Sequence, residues 1–390
     1  LTNVNKVTVA DNVNVVLWGW GSQVGDITLG SNSKLTVAGF EGSLTAGNID
    51  GAVANSGTLN IFEGTLGSSS RGLDNQNIGA TNRLARIHVG SETLFTAYGE
   101  VNSAQIHVDE SLVLTKGADF DQMTLDYYGS VRYSAGLTNY DDSYNIINGD
   151  ISVTNDYGYS ADFNISTIYF NNLSEELKTF KVKGAIGQGD ESLSRIHVSD
   201  NTVLDLSGAN GVYVQNIELQ GSSESEVPVI LLGSSIVDTK IVMYDGSISG
   251  MVKIVEDHDL ISSIGKVDSR VDRFEIDSGK SVNIRNAVYV NSVTNNANSN
   301  FKVFADSQGA LNTVDSTSFT NHGKVDLSAA GGDFASNIDN RAGSTFYLGS
   351  STISVSGSVN FASGSTFSVD LAGIDEIGSL EANTVQISEG

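Results

Sequence analysis

Two histidines, each held in an Ile-His-Val triplet, are the side chains with the clearest capacity for chemistry. His88 lies between Ile87 and Val89, and His107 recurs one repeat later between Ile106 and Val108. In a strand, alternate side chains face opposite ways, so inward Ile and Val leave the imidazole on the outer face. A further step of equal length reaches Asp126. Two imidazoles and a carboxylate on adjacent rungs have the donor types of a divalent-metal site. A rung spacing of about 4.8 Å permits such a site without selecting it. The column is therefore read as a solvated histidine ladder, with no metal and no cofactor assigned.

A second group offers recognition rather than reaction. Eight of the 13 tyrosines fall between Tyr127 and Tyr169. From Gly117 to Leu177 the only basic residue is Arg132, against ten acids. Tyrosine gives large amphipathic contact at low entropic cost, and loops on a rigid scaffold commonly carry binding. The ligand-binding candidates are Tyr127, Tyr128, Tyr133, Tyr140, Asp141, Asp142, Tyr144, Tyr157 and Tyr159. The rings could stack on a protein or sugar surface while the carboxylates take hydroxyls. The alternative is that these tyrosines are ordinary strand residues covering a sheet. Trp18 and Trp20 form a second candidate patch, pointing the same way as i and i+2, and an end cap on the first coil accounts for them equally well.

Other motifs fall short on inspection. The acidic stretch Tyr140–Asp150 has oxygen ligands but lacks the glycine and terminal glutamate of an EF-hand loop, so calcium is permitted without being specified. Gly279-Lys280-Ser281 resembles the end of a phosphate loop, but Phe274 stands where its first glycine belongs and no helical pattern follows. Asn321-His322-Gly323 is a near miss to the Gly-His-Gly of β-helix polysaccharide hydrolases. Asp141 and Asp142, adjacent on a strand, would point to opposite faces and make a poor glycosidase pair. The chain is read as non-catalytic.

The elements that must carry these residues follow from composition and repetition. The chain has 390 residues, 42 glycines, one proline, no cysteine and a net charge of −25. The lack of cysteine rules out disulfides, thiolate metal sites and thiol nucleophiles, and suits a protein exported unfolded. Twenty-one Lys and Arg against 46 acids argue against a nucleic-acid or anionic-membrane surface. No apolar run approaches the roughly 18 residues of a transmembrane helix. The chain opens on Leu1 and reads as a piece of something longer.

Self-similarity runs from end to end. Arg86-Ile87-His88-Val89 returns as Arg195-Ile196-His197-Val198, and Gln105-Ile106-His107-Val108 stands between them. Arg273–Ile284 is a further copy, and Gly343-Ser344-Thr345-Phe346 returns one repeat later as Gly364-Ser365-Thr366-Phe367. Each unit reads as an alternating strand, a turn of Ser, Asp, Asn and Gly, and a second alternating strand. A sandwich has no reason to repeat one unit along a whole chain, whereas coils of a solenoid meet the same neighbours above and below. The fold class is thus all-β, a right-handed parallel β-helix of about 19–21 residues per coil, its hand taken from the crossover rule. At about 4.8 Å per rung it would be a rod on the order of 90 Å long. Plain coils are expected over 1–116 and 186–390, with a Tyr/Asp-rich loop excursion and one short helix, Asn172 to Phe180, within 117–185.

Asn55–Ile61, Asn340–Phe346 and Val359–Leu371 resemble the rungs of autotransporter passenger domains of Gram-negative bacteria, in the style of rickettsial surface antigens and vacuolating-toxin-like passengers. The resemblance implies export, passage through a C-terminal outer-membrane β-barrel outside this chain, and display at the cell surface. It brings no family-wide active site. Two functions of different class are expected. One is an adhesin that holds the tyrosine-rich segment against a host protein or glycan. The other is a structural or self-associating surface protein assembled through cation-bridged acidic faces, since a charge of −25 repels neighbours unless cations intervene.

Overall fold

The computed structural model describes the chain except for residues 1–3, 19–21, 67–76, 92, 117, 136–145, 155–165, 173–175, 188–192, 330, 371–377 and 389–390. Among the described residues there is no helix, and every described ladder between strands is parallel. The chain is a parallel β-solenoid. Its contacts group it into two units, one of residues 1–202 with 209–215 and the other of 203–208 with 216–390.

Apolar columns hold the coils together. In the first unit Leu35, Leu59, Ile87, Ile106, Met123, Ile151, Ile186 and Val212 stand in successive register. In the second, Ile230, Val252, Phe274, Val293, Phe319, Ile338 and Val359 do the same. All of these are buried. Each contributes about 1.5–3 kcal/mol by leaving water, so a charge at any of them would break its coil. Between inward positions the side chains alternate outward, as in Leu84–Val89, where Ile87 and Val89 are buried and Arg86 is exposed.

The repeated turn has one recurring form. The fourth residue's N–H bonds back to the first residue's carbonyl in the turns 10–13, 30–33, 277–280, 296–299, 341–344 and 362–365. Its third residue has φ of 53–60° at Asn12, Asn32 and Asn298, and of 73–81° at Gly279, Gly343 and Gly364. Only glycine, and less readily asparagine, tolerates that left-handed conformation. The periodic Asn and Gly of the sequence are therefore turn residues. Serine in the fourth place often ties the turn off, Ser33 and Ser365 donating through Oγ to the carbonyls of Gly30 and Ala362 at 2.8 and 2.7 Å.

Coil length varies more than the sequence repeat predicts. Gln105 stands opposite Gln122, a shorter coil than the one from Arg86 to Gln105. Ser111 pairs with Ser130, and Ser130 pairs on its other side with Thr167, across a coil nearly twice as long. The added chain of that coil includes residues 136–145 and 155–165, outside the described residues. The expected helix over Asn172–Phe180 is corrected. Asn172 ends the strand Thr167–Asn172, and Lys178, Thr179 and Phe180 begin the strand Lys178–Val182. Leu177 and Phe180 gave the helical spacing, but the inward pull on Phe180 and Val182 is that of a period-2 strand.

Candidate functional site

His88 and His107 are register partners on the parallel strands Leu84–Val89 and Val101–Val108. Their rings meet edge to face with centroids 5.0 Å apart. The third member is Asp109. The chain leaves Val108 with Asp109 N–H bonded to the Val89 carbonyl at 2.8 Å, which extends the ladder past the end of both strands. The Asp109 carboxylate reaches the outer face, where both imidazoles stand.

The geometry closes on that one carboxylate. Asp109 Oδ1 is 2.8 Å from His107 Nε2, and Asp109 Oδ2 is 3.1 Å from His88 Nε2. An ionised carboxylate only accepts, so in this arrangement each Nε2 carries the hydrogen and donates it. Burial favours the neutral acid, but the hydrogen bonds from His107 and His88 and the imidazoles' charge outweigh it and hold Asp109 well below the usual carboxylate range. The side chains of His88, His107 and Asp109 are 21%, 14% and 10% exposed. The expected solvated ladder is thus a half-buried, mutually bonded cluster that water still reaches. Phe62 walls one side, its ring edge-on to His88 at 5.2 Å. Gly90 makes that approach feasible, because a Cβ there would lie 2.1 Å from Phe62 Cδ1.

The cluster's acid differs from the one expected. Because the next coil is shorter, Thr124 and not Asp126 stands over His107, and Asp126, two residues on, is buried and pairs with Thr154 of the following strand. The signal that could have found Asp109 was present: the three triplets are followed by Gly90, Asp109 and Ser199, and only the second supplies a carboxylate at i+2 from its histidine. The third copy went another way. His197 is buried and packs against Tyr169 at 5.7 Å, and Arg132 sits over that same Tyr169 ring at 5.0 Å. Among the described residues, His88, His107 and Asp109 are the one group of three His, Cys or acidic side chains whose ligand atoms, all within 4.8 Å of one another, could hold a metal ion.

The aromatic candidates divide. Tyr133 is a core residue at 1% exposure, stacked on Phe170 with centroids 5.4 Å apart. Tyr127 is likewise buried, so neither offers a surface for a ligand. Tyr128 is exposed, and Trp18 is 73% exposed on the strand Asn14–Trp18. Tyr140, Asp141, Asp142, Tyr144, Tyr157, Tyr159 and Trp20 lie outside the described residues. Of the acidic stretch considered for calcium, Asp150 is described, and its Oδ1 accepts the Ala185 N–H at 2.8 Å. Lys280 and Asn321 of the two near-miss motifs serve a turn and a buried ladder.

No protein-family model, curated protein or solved structure matches this chain. Its chemistry is therefore argued from its own residues.

Proposed function

We propose that this chain is a non-catalytic passenger of the autotransporter type, displayed at a bacterial cell surface, whose coils present the Tyr/Asp-rich segments to a host receptor or glycan. One observation carries this reading. The coil from Ser130 to Thr167 takes nearly twice the chain of the preceding one, from Ser111 to Ser130. The surplus includes 136–145 and 155–165, the stretches that hold Tyr140, Asp141, Asp142, Tyr144, Tyr157 and Tyr159. A solenoid tolerates such insertions because each coil contacts only its neighbours. Chain beyond what a coil needs, and rich in recognition residues, is the place to expect binding.

The test is binding of labelled chain to host cells, beside a variant in which only 136–145 and 155–165 are replaced by short Gly/Ser links. Tyr127 and Tyr133 stay, since they belong to the core. Saturable binding that disappears in the variant supports the adhesin. Equal binding by both moves the surface away from these segments, with Trp18 next in line. Binding by neither, together with calcium-dependent sedimentation of the chain, would replace this reading with cation-bridged lateral assembly.

A further inference from the structure

Beyond display of loops, we propose that His88, His107 and Asp109 bind a divalent transition-metal ion of the zinc class, with the remaining coordination left to water or an external ligand. The donor set is two imidazole nitrogens and one carboxylate oxygen. Zinc, cobalt(II) and nickel(II) favour that set, whereas calcium and magnesium take oxygen shells. Three protein ligands with an open position is the pattern of exchangeable sites, and the exposure of 21% at His88 and 14% at His107 leaves a path for it.

The ligand atoms are already gathered, one from each residue lying within 4.8 Å of the other two. A tetrahedral ion about 2.0–2.1 Å from each donor separates the donors by roughly 3.3 Å. Here each carboxylate oxygen stands against a different imidazole, Oδ1 2.8 Å from His107 Nε2 and Oδ2 3.1 Å from His88 Nε2. Side-chain rotation that brings one carboxylate oxygen and both Nε2 atoms to that spacing, each imidazole staying neutral with its proton on Nδ1, converts the hydrogen-bonded cluster into a ligand set. The scaffold limits any larger change. His88 and His107 are held in register by the ladder, and the Asp109 backbone is bonded to Val89. Phe62 closes one flank. The bound ion would join one coil to the next at the outer face.

His197 supplies an internal control. It has the same Ile-His-Val setting, but Ser199 replaces the acid and Tyr169 is its ring neighbour. The experiment strips the full chain with chelator near neutral pH and titrates Co(II) and Zn(II) in excess Mg(II), which occupies nonspecific acidic surface. Calorimetry reads stoichiometry, and cobalt visible absorption together with X-ray absorption reads the ligand shell. The expected result is one ion per chain, with two imidazoles in the shell. Affinity should fall about tenfold or more in His107→Gln and Asp109→Asn and stay unchanged in His197→Gln. Absence of a stoichiometric ion on the native chain, or equal binding by Asp109→Asn in folded protein, would overturn the proposal. If the variants fail to fold, the X-ray absorption of the cobalt-loaded native chain decides: a shell of oxygens alone rejects the site.

Discussion

Two polar ladders in this molecule occupy successive rungs, and they differ in what their side chains can pass along. In the second unit Asn295, Asn321 and Asn340 are register neighbours, all with no exposure. Asn295 Nδ2 donates to Asn321 Oδ1 at 2.9 Å, and Asn321 Nδ2 donates to Asn340 Oδ1 at 2.9 Å. An amide carries a donor and an acceptor at once, so one rung can bond the next without charge. Spare capacity goes to the backbone: Asn295 also reaches the Lys324 carbonyl, and Asn321 the Thr345 carbonyl and the Gly323 N–H. In the first unit two imidazoles converge on one carboxylate, an arrangement that needs protons or a cation on Nε2. It remains partly open to water. A self-complementary ladder can be sealed in a core and serve stability, whereas a convergent one stays responsive to its surroundings.

The contrast breaks most readily at Asn321. Asn321→Leu leaves the Asn340 side-chain oxygen, the Gly323 N–H and the Thr345 carbonyl short of partners, at about 1–3 kcal/mol for each buried group left unsatisfied. We expect a loss of about 3–5 kcal/mol in urea unfolding, with the Gly323 amide exchanging faster. A loss under about 1 kcal/mol would show that the ladder is decorative. Asp109→Asn in metal-free protein should cost less, about 1–2 kcal/mol, because charge-assisted bonds are replaced at a half-wet site. Asp109's pKa is lowered in the folded chain. Its contribution is therefore full above the unfolded value of 3.8 and lost as pH falls through the lower folded value. Denaturation at neutral pH and in strong acid should show the mutant penalty only at the former.

His258 sharpens the comparison from the other side, as an imidazole sealed in a core. It faces inward beside Val282 and Phe301 in register, and its Nδ1 bonds the Gly233 carbonyl. Burial lowers its pKa, outweighing the raising influence of the Gly233 carbonyl and Asp259. A depressed base must take up a proton to unfold in acid. Stability is then full above its ordinary value of 6.5 and falls toward the lower folded value, by at most about 1.4 kcal/mol per pH unit. His258→Leu should flatten that limb in denaturant midpoints followed from neutral into acid, and an unchanged slope would assign the acid sensitivity elsewhere. The smallest effect is at Asn298, whose turn places Ser299 Oγ 2.6 Å from Asn295 Oδ1. Asn298→Gly should change stability by only a few tenths of a kcal/mol, while Asn298→Ala should lose about 1 kcal/mol to left-handed strain. Equal thermal midpoints for the two would reject the turn's role in the ladder.

Much of the fold was legible because a parallel ladder copies its pattern from coil to coil. Ile87, Val89, Ile106 and Val108 announced inward positions by alternation alone, and the Asn or Gly of each turn announced a left-handed residue. The site was half legible. The pairing of His88 with His107 followed from the repeat, but Asp126 was placed by assuming an equal step. A shortened coil put Thr124 there instead. The inward side of Tyr133 was hidden for a related reason: tyrosine suits either face of a strand, and residue type does not set its phase.

By itself, then, the sequence determined the all-β repetitive architecture, the inward apolar columns and the turn chemistry, because these depend on contacts between residues at fixed local spacing. Tertiary structure decided which rung each polar side chain meets, and so joined Asp109 to the two histidines and Asn295 to Asn321 and Asn340. The physical reason is that register between coils depends on how much chain each turn and loop consumes. A small change there leaves the alternation intact while moving every cross-rung partner.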